Sequence, residues 1–123
     1  VVVLASLVEK EAQRPEEQAV IAKVFLNRLQ QNMPLQSCAT IQYLLGYPKE
    51  ELSLQDTQIP SPYNTYLNPG LPPGPIANPG LGALKAALNP AQTDYLYFVA
   101  DKQGKHHFSR TYEEHLAAIE QVR

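Results

Sequence analysis

The stretch LASLVEKEAQRPEEQAV, Leu4–Val20, decides the fold. It begins apolar, sets Glu9 and Glu11 two positions apart, and is then broken by Pro15. At about 100° per residue, Val1, Leu4, Leu7, Val8 and Ala12 share one broad face, which predicts a buried helix over Val1–Ala12. Pro15 ends that helix and suits the first position of the next. Glu16 and Glu17 then occupy the first turn of a second helix, where the macrodipole favours acids. Val20, Ile21, Val24, Phe25 and Leu29 supply that helix with its apolar face.

The same wheel separates the two glutamates. Glu11 falls between Leu4 and Leu7, whereas Glu9 lies about 200° away, between Ala5 and Val2. Glu11 is thus the carboxylate most embedded among aliphatic side chains. Burial disfavours an ionised carboxylate, and a carboxyl group that holds its proton is what a general acid needs. On spacing alone two plainer readings stay open. Both acids could be solvated at a helix end, or either could pair with Lys10, Arg14 or Arg28.

Outward from this stretch, Met33–Gln36 reads as extended and Thr40–Leu45 as a short third helix stopped by Gly46. From Tyr47 to Gly80 the composition changes. Seven of the 11 prolines fall between Pro60 and Pro79, which rules out regular helix or a central strand there. A loop this long inside a compact domain is usually functional. Its YNTYLNPGLPPG segment offers Tyr63, Tyr66 and Asn64, which suit sugar faces and acetamido groups, on a backbone stiffened by proline. A structural loop with its tyrosines packed on the core is the alternative. Asn78-Pro79 predicts the start of a further helix with Leu81, Leu84 and Leu88 inward. Tyr95–Ala100 and Lys105–Ser109 form a hairpin about the turn Asp101–Gly104. Thr111 with Glu114 makes a capping box for a final helix to Val122. The expected class is α+β, mostly helical, with a core including Val20, Val24, Phe25, Leu29, Leu84, Leu88, Leu96 and Phe98.

With 123 residues, 44% of them hydrophobic and 18% charged, residues 1–123 suit a single folded domain. A net charge of -2 without a Lys/Arg cluster speaks against nucleic acid and against an anionic membrane surface. The single cysteine, Cys38, excludes an internal disulfide framework and a multi-thiolate zinc site. No run reaches the length of a membrane span. The chain opens inside the apolar run VVVLASLV without a helix-start signal, so it is expected to be a domain cut from a longer protein. Cys38 has a nucleophile reading with His106 or His107, but no cysteine motif surrounds it. Adjacent histidines on a strand point to opposite faces, and His107 and His115 lack zinc-motif spacing, so no metal and no cofactor is expected.

Taken in order, ASLVEKEA, VFLNRL, MPLQS, YNTYLNPGLPPGPIANPG, LKAALNPA, YLYFVAD and HHFSRTYEEH resemble the catalytic domain of MltG-type (YceG-like) endolytic murein transglycosylases, from Leu4 to His115. The resemblance implies a lysozyme-like fold around a peptidoglycan cleft. It implies one catalytic glutamate, the second of the E-K-E triplet, which is Glu11 here and agrees with the wheel. It gives Glu9 a supporting, substrate-side role and assigns Gln36, Tyr63, Asn64, Tyr66, Gly70, Pro72, Pro73 and Gly74 to the glycan cleft. The family's Asp-Pro after Leu35-Gln36-Ser37 is replaced by Cys38-Ala39, so no acid on that link is needed. The implied reaction cuts the bond between N-acetylmuramic acid and N-acetylglucosamine and leaves 1,6-anhydro ends. The implied parent is anchored by an N-terminal helix at the extracytoplasmic face of the bacterial membrane and works beside peptidoglycan synthases. A lysozyme-like hydrolase, whose second carboxylate would come from Glu9, Glu50, Glu51 or Asp56, and a non-catalytic glycan-binding module are the competing readings.

Overall fold

The computed structural model describes residues 1–47 and 52–122. Glu50 and Glu51 lie outside the described residues. Helix α1 spans Val2–Glu11, and a single 3-10 turn, Pro15–Glu17, leads into α2, Gln18–Gln30. Pro15 therefore starts a tight turn ahead of the second helix rather than the helix itself. Helix α3 runs over Cys38–Leu45, two residues longer at its start than the pattern predicted, and stops at Gly46. Gly46 takes φ 82°, the left-handed cap that a side chain would strain. Helix α4 is Leu81–Leu88, strands β1 and β2 are Tyr97–Ala100 and His106–Ser109, and α5 is Tyr112–Val122.

The fold is α+β with one small antiparallel sheet. Its register pairs Tyr97 with Ser109 and Ala100 with His106. Five consecutive residues of α1, Leu4–Val8, are buried, so this helix forms the centre of the molecule. It packs on α2 through Ile21, Ala22 and Phe25, and on α4 through Ala83, Ala86 and Ala87. The hairpin joins that core through Phe98, whose ring meets Phe25 edge-on at 5.8 Å. The predicted capping box is present: Glu114 N–H donates to Thr111 Oγ1 at 3.2 Å, and Thr111 N–H to Glu114 Oε1 at 3.4 Å.

Helix α4 departs from expectation. Its N-cap is Gly80 instead of Asn78, and Leu81 and Leu88 face solvent at 68% and 62% exposure. Leu84 alone of the three leucines packs against the core. The alanines explain the reversal. Ala83, Ala86 and Ala87 share a face that lies about 160° from the Leu81/Leu88 line, and their small side chains let three helices approach closely. Among the other expected core residues, Val24 and Phe25 are buried, while Val20, Leu29, Leu96 and Phe98 are half-buried.

Candidate active site

Glu11 ends α1 opposite the start of α3. Its Oε1 accepts a hydrogen bond from Ser37 Oγ at 2.7 Å and another from the backbone N–H of Ala39 at 3.2 Å. Ser37 is the N-cap of α3, yet its hydroxyl makes no bond to its own helix. The Glu11 carboxylate stands in as the cap, bonding one of the N–H groups that a helix start leaves unpaired. Oε2 of Glu11 has no hydrogen-bond partner among the described residues.

Ser37 is in turn fixed from behind by the proline-rich loop. Its N–H donates to Thr65 Oγ1 at 2.9 Å, and Gln36 N–H donates to Thr65 O at 3.2 Å. Thr40 Oγ1 lies 2.9 Å from Thr65 Oγ1 and donates to Ser37 O at 2.7 Å. Gln36 itself holds φ 51°, which a non-glycine residue adopts only when its surroundings enforce it. Ser37, Thr40 and Thr65 are all buried, so the acid rests on a packed polar web rather than on a mobile surface.

Glu11 lines a cavity of about 490 Å³. Gln36, Cys38, Tyr66, Arg28 and His115 share its wall, and Phe98, Val99 and Ala100 give it an apolar side. Among the described residues Glu11 is the one carboxylate lining it. A second recess of about 320 Å³ shares Lys10, Ala39 and Gln42 and continues toward Tyr43, Tyr47 and Ile76. Cys38 Sγ lies 3.1 Å from Tyr66 Oη. Burial pushes both the Cys38 thiol and the Tyr66 phenol above their ordinary values, which disfavours the thiolate that a nucleophile needs. His106 Nδ1 is instead engaged by Glu17 Oε1 at 2.9 Å, and His107 Nε2 by Asp101 Oδ2 at 3.1 Å.

Of the residues assigned to the cleft from the sequence, Gln36 and Tyr66 join Glu11 at this cavity. Glu9 points elsewhere: its Oε1 accepts the N–H of Gly80 at 2.7 Å and ties α1 to the start of α4. Asn64 is fully buried, and its amide is consumed inside the loop. Nδ2 donates to Thr57 O and Ile59 O at 3.1 and 2.8 Å, and Oδ1 accepts from Tyr66 N–H at 2.9 Å. It fixes the loop and presents no free group to a ligand. Tyr63 packs against Tyr43 at 5.2 Å between ring centroids, and Gly74 is held bare by the Tyr63 hydroxyl, 2.8 Å from where a Cβ would stand. Gly70, Pro72, Pro73 and Gly74 shape the loop away from the cavity wall, with Pro72 buried. Ser37, Thr65, Arg28 and His115 were missed as site residues. A serine at a helix start is the one sequence signal among them, and it reads first as an ordinary cap.

The profile of the YceG-like family matches residues 1–121. The endolytic murein transglycosylase of Bacillus subtilis is 49% identical over 117 residues, which cover 95% of this chain and 32% of that protein. The endolytic murein transglycosylase of Streptococcus pneumoniae serotype 2 is 46% identical over 118 residues, covering 91% and 21%. The chain therefore spans a third or less of these relatives. A crystal structure of the YceG-like protein lmo1499 from Listeria monocytogenes superposes with a TM-score of 0.90 at 48% identity, over 94% of this chain and 38% of that one. The family match spans the helix that carries Glu11 and the link that carries Ser37, and the relatives and the solved structure cover nearly the whole chain: it belongs to the YceG-like family.

Proposed function

We propose that residues 1–123 form the single catalytic domain of an endolytic murein transglycosylase, with a lysozyme-like layout and Glu11 as its catalytic residue. The observation that carries this reading is a lone carboxylate, aimed by Ser37 and Ala39, on the wall of a cavity that holds no second acid among the described residues. Hydrolases of glycosidic bonds usually need two carboxylates flanking the bond. Asp56 accepts the N–H of Ser53 and Glu9 that of Gly80, and neither lines the cavity, which favours transglycosylation over the lysozyme-type alternative.

The two donors on Oε1 disfavour a proton there, so Oε2 is the oxygen that carries it. Oε2–H protonates the oxygen between N-acetylmuramic acid and N-acetylglucosamine as the C1–O bond breaks. The muramic acetamido oxygen stabilises the cationic C1. Oε2, now ionised, takes the proton from the C6 hydroxyl of the same sugar, whose oxygen bonds to C1 and closes the 1,6-anhydro ring. No water is consumed, and Glu11 ends protonated as it began. Gln36 and Tyr66 contact the glycan, while Gly70 to Gly74 shape the loop that supports the site. The substrate is peptidoglycan, worked on at the extracytoplasmic face of the membrane. No helix among the described residues is long and apolar enough to cross a membrane.

Digestion of purified peptidoglycan, with mass analysis of the muropeptides, tests this. Anhydro products, lighter by one water than hydrolytic ones, are expected. Glu11→Gln should abolish them, and Glu9→Gln should retain turnover. Reducing ends would establish the hydrolase, and absence of any cleavage by the wild type would establish a binding module.

A further inference from the structure

Arg28 is a buried cation that the proposed chemistry leaves unused. It is 7% exposed and lines the cavity that holds Glu11. Its Nε–H donates to Leu96 O and its Nη1–H to Pro34 O, each at 2.7 Å, and its guanidinium lies over the Tyr97 ring at 5.0 Å. Both acceptors are neutral carbonyls. Among the described residues no carboxylate lies within ion-pairing distance of it. Three of its five N–H groups remain. Burial pulls the guanidinium below its ordinary value, as expected for a charge removed from water without a counter-ion. The last turn of α2 and the Tyr97 ring both favour a cation at this position, and the N–H groups that its two carbonyl partners leave over are the ones a ligand can meet.

The surroundings support a ligand role. Lys10, the other cation on this cavity, is exposed. His115 lines the same cavity and stacks on Tyr97 at 5.1 Å between centroids. Its Nδ1 is buried without a hydrogen-bond partner. Burial and the Arg28 charge push His115 below its ordinary value, so it stays neutral beside the arginine. Besides the acid Glu11 and the exposed Lys10, the wall thus sets one desolvated cation among neutral polar and aromatic groups, where a fork of guanidinium donors can meet a planar anion.

We propose that Arg28 is a specificity-determining residue that binds a carboxylate of the glycan. This rests on the glycan reading of the site given above. Plain N-acetylhexosamine chains carry no such group. Muramic sugars do, either as the free acid of the lactyl ether in peptide-free strands or on the attached peptide.

Calorimetric titration of the full chain carrying Glu11→Gln tests it with three probes. These are a peptide-free muramic tetrasaccharide, its peptide-bearing form, and chitotetraose. At least one muramic probe should bind ten-fold or more tightly than chitotetraose, and the tighter of the two identifies which carboxylate is read. Adding Arg28→Met should bring the preferred probe within two-fold of chitotetraose while leaving chitotetraose binding in place. Converting the carboxylates of the preferred probe to carboxamides should remove the margin too, a measurement that needs no second variant to fold. Equal binding of all three probes, or a margin that survives amidation or Arg28→Met, overturns the assignment and leaves the transglycosylase reading intact. Failure of every glycan to bind overturns both.

Discussion

Replacing Ser37 with alanine removes the hydroxyl that holds Glu11 Oε1 at 2.7 Å and leaves the Ala39 N–H at 3.2 Å as the one remaining donor. The Ser37 N–H keeps its bond to Thr65, so the backbone of the link stays anchored. A hydrogen bond to a neutral group contributes about 0.5–1.5 kcal/mol and one to a charged group about 1.5–3 kcal/mol, so this part-buried bond to an acid that is protonated at rest and ionised during the reaction contributes about 1–2 kcal/mol. If the hydroxyl serves to aim the acid, that loss appears as a fall of about 5–30-fold in kcat, with KM nearly unchanged. Release of anhydro-muropeptides from purified peptidoglycan over a substrate series measures both constants. A double-mutant cycle on stability adds the second half. Ser37→Ala should destabilise the wild type by about 1–2 kcal/mol and the Glu11→Ala background by close to nothing. A variant with wild-type kcat and the same loss of stability in both backgrounds would show that the hydroxyl serves helix α3 and not the acid.

Phe25→Ala should cost about 3–5 kcal/mol in urea melts, because the ring is fully buried and carries the contact to Phe98; a loss below about 1 kcal/mol refutes the assigned core. Glu9→Ala should cost about 0.5–1.5 kcal/mol through the Gly80 N–H it abandons, with kcat unchanged, and a drop in kcat comparable to that of Ser37→Ala would contradict its assignment as a tie between α1 and α4. His115 is held below its ordinary value near 6.5, so the unfolded chain takes its proton first on acidification. Stability associated with the neutral ring is full above that value and falls as the pH drops beneath it. Urea midpoints should therefore decline more between about pH 7 and about pH 5 for the wild type than for His115→Phe, and parallel declines would exclude the effect.

The elements set by local chemistry were legible without coordinates. Pro15, Gly46 and the Thr111/Glu114 pair mark boundaries whose cause lies within four residues, and each is found in the fold. Glu11 was separable from Glu9 because a helix fixes direction as well as spacing, and the two carboxylates do engage opposite neighbours, α3 and α4. Hydrophobicity misled at α4, where the largest side chains face water and alanines face the core. What decides there is how closely the helix backbones approach, which no single residue encodes. Asn64 misled for a related reason: a polar side chain in a loop was read as offered to a ligand, whereas its amide is spent on the loop's own carbonyls. Arg28 and His115 stand 87 positions apart and meet at one cavity, both against Tyr97 on the hairpin, so their pairing was beyond any local reading.

The chain of contacts Thr65 to Ser37 to Glu11 bears on when, during folding, the proposed site is assembled. The two links join residues 28 and 26 positions apart, so neither forms with the local turns of the helices. Contacts of that separation must wait for loop closure, which delays them relative to helix formation. A chain still emerging, or one whose proline-rich loop has come loose, lacks the Thr65 contact that fixes Ser37 behind Glu11. The aimed arrangement of Glu11 thus arrives late, with completion of the fold, and the proposed site is not assembled before it.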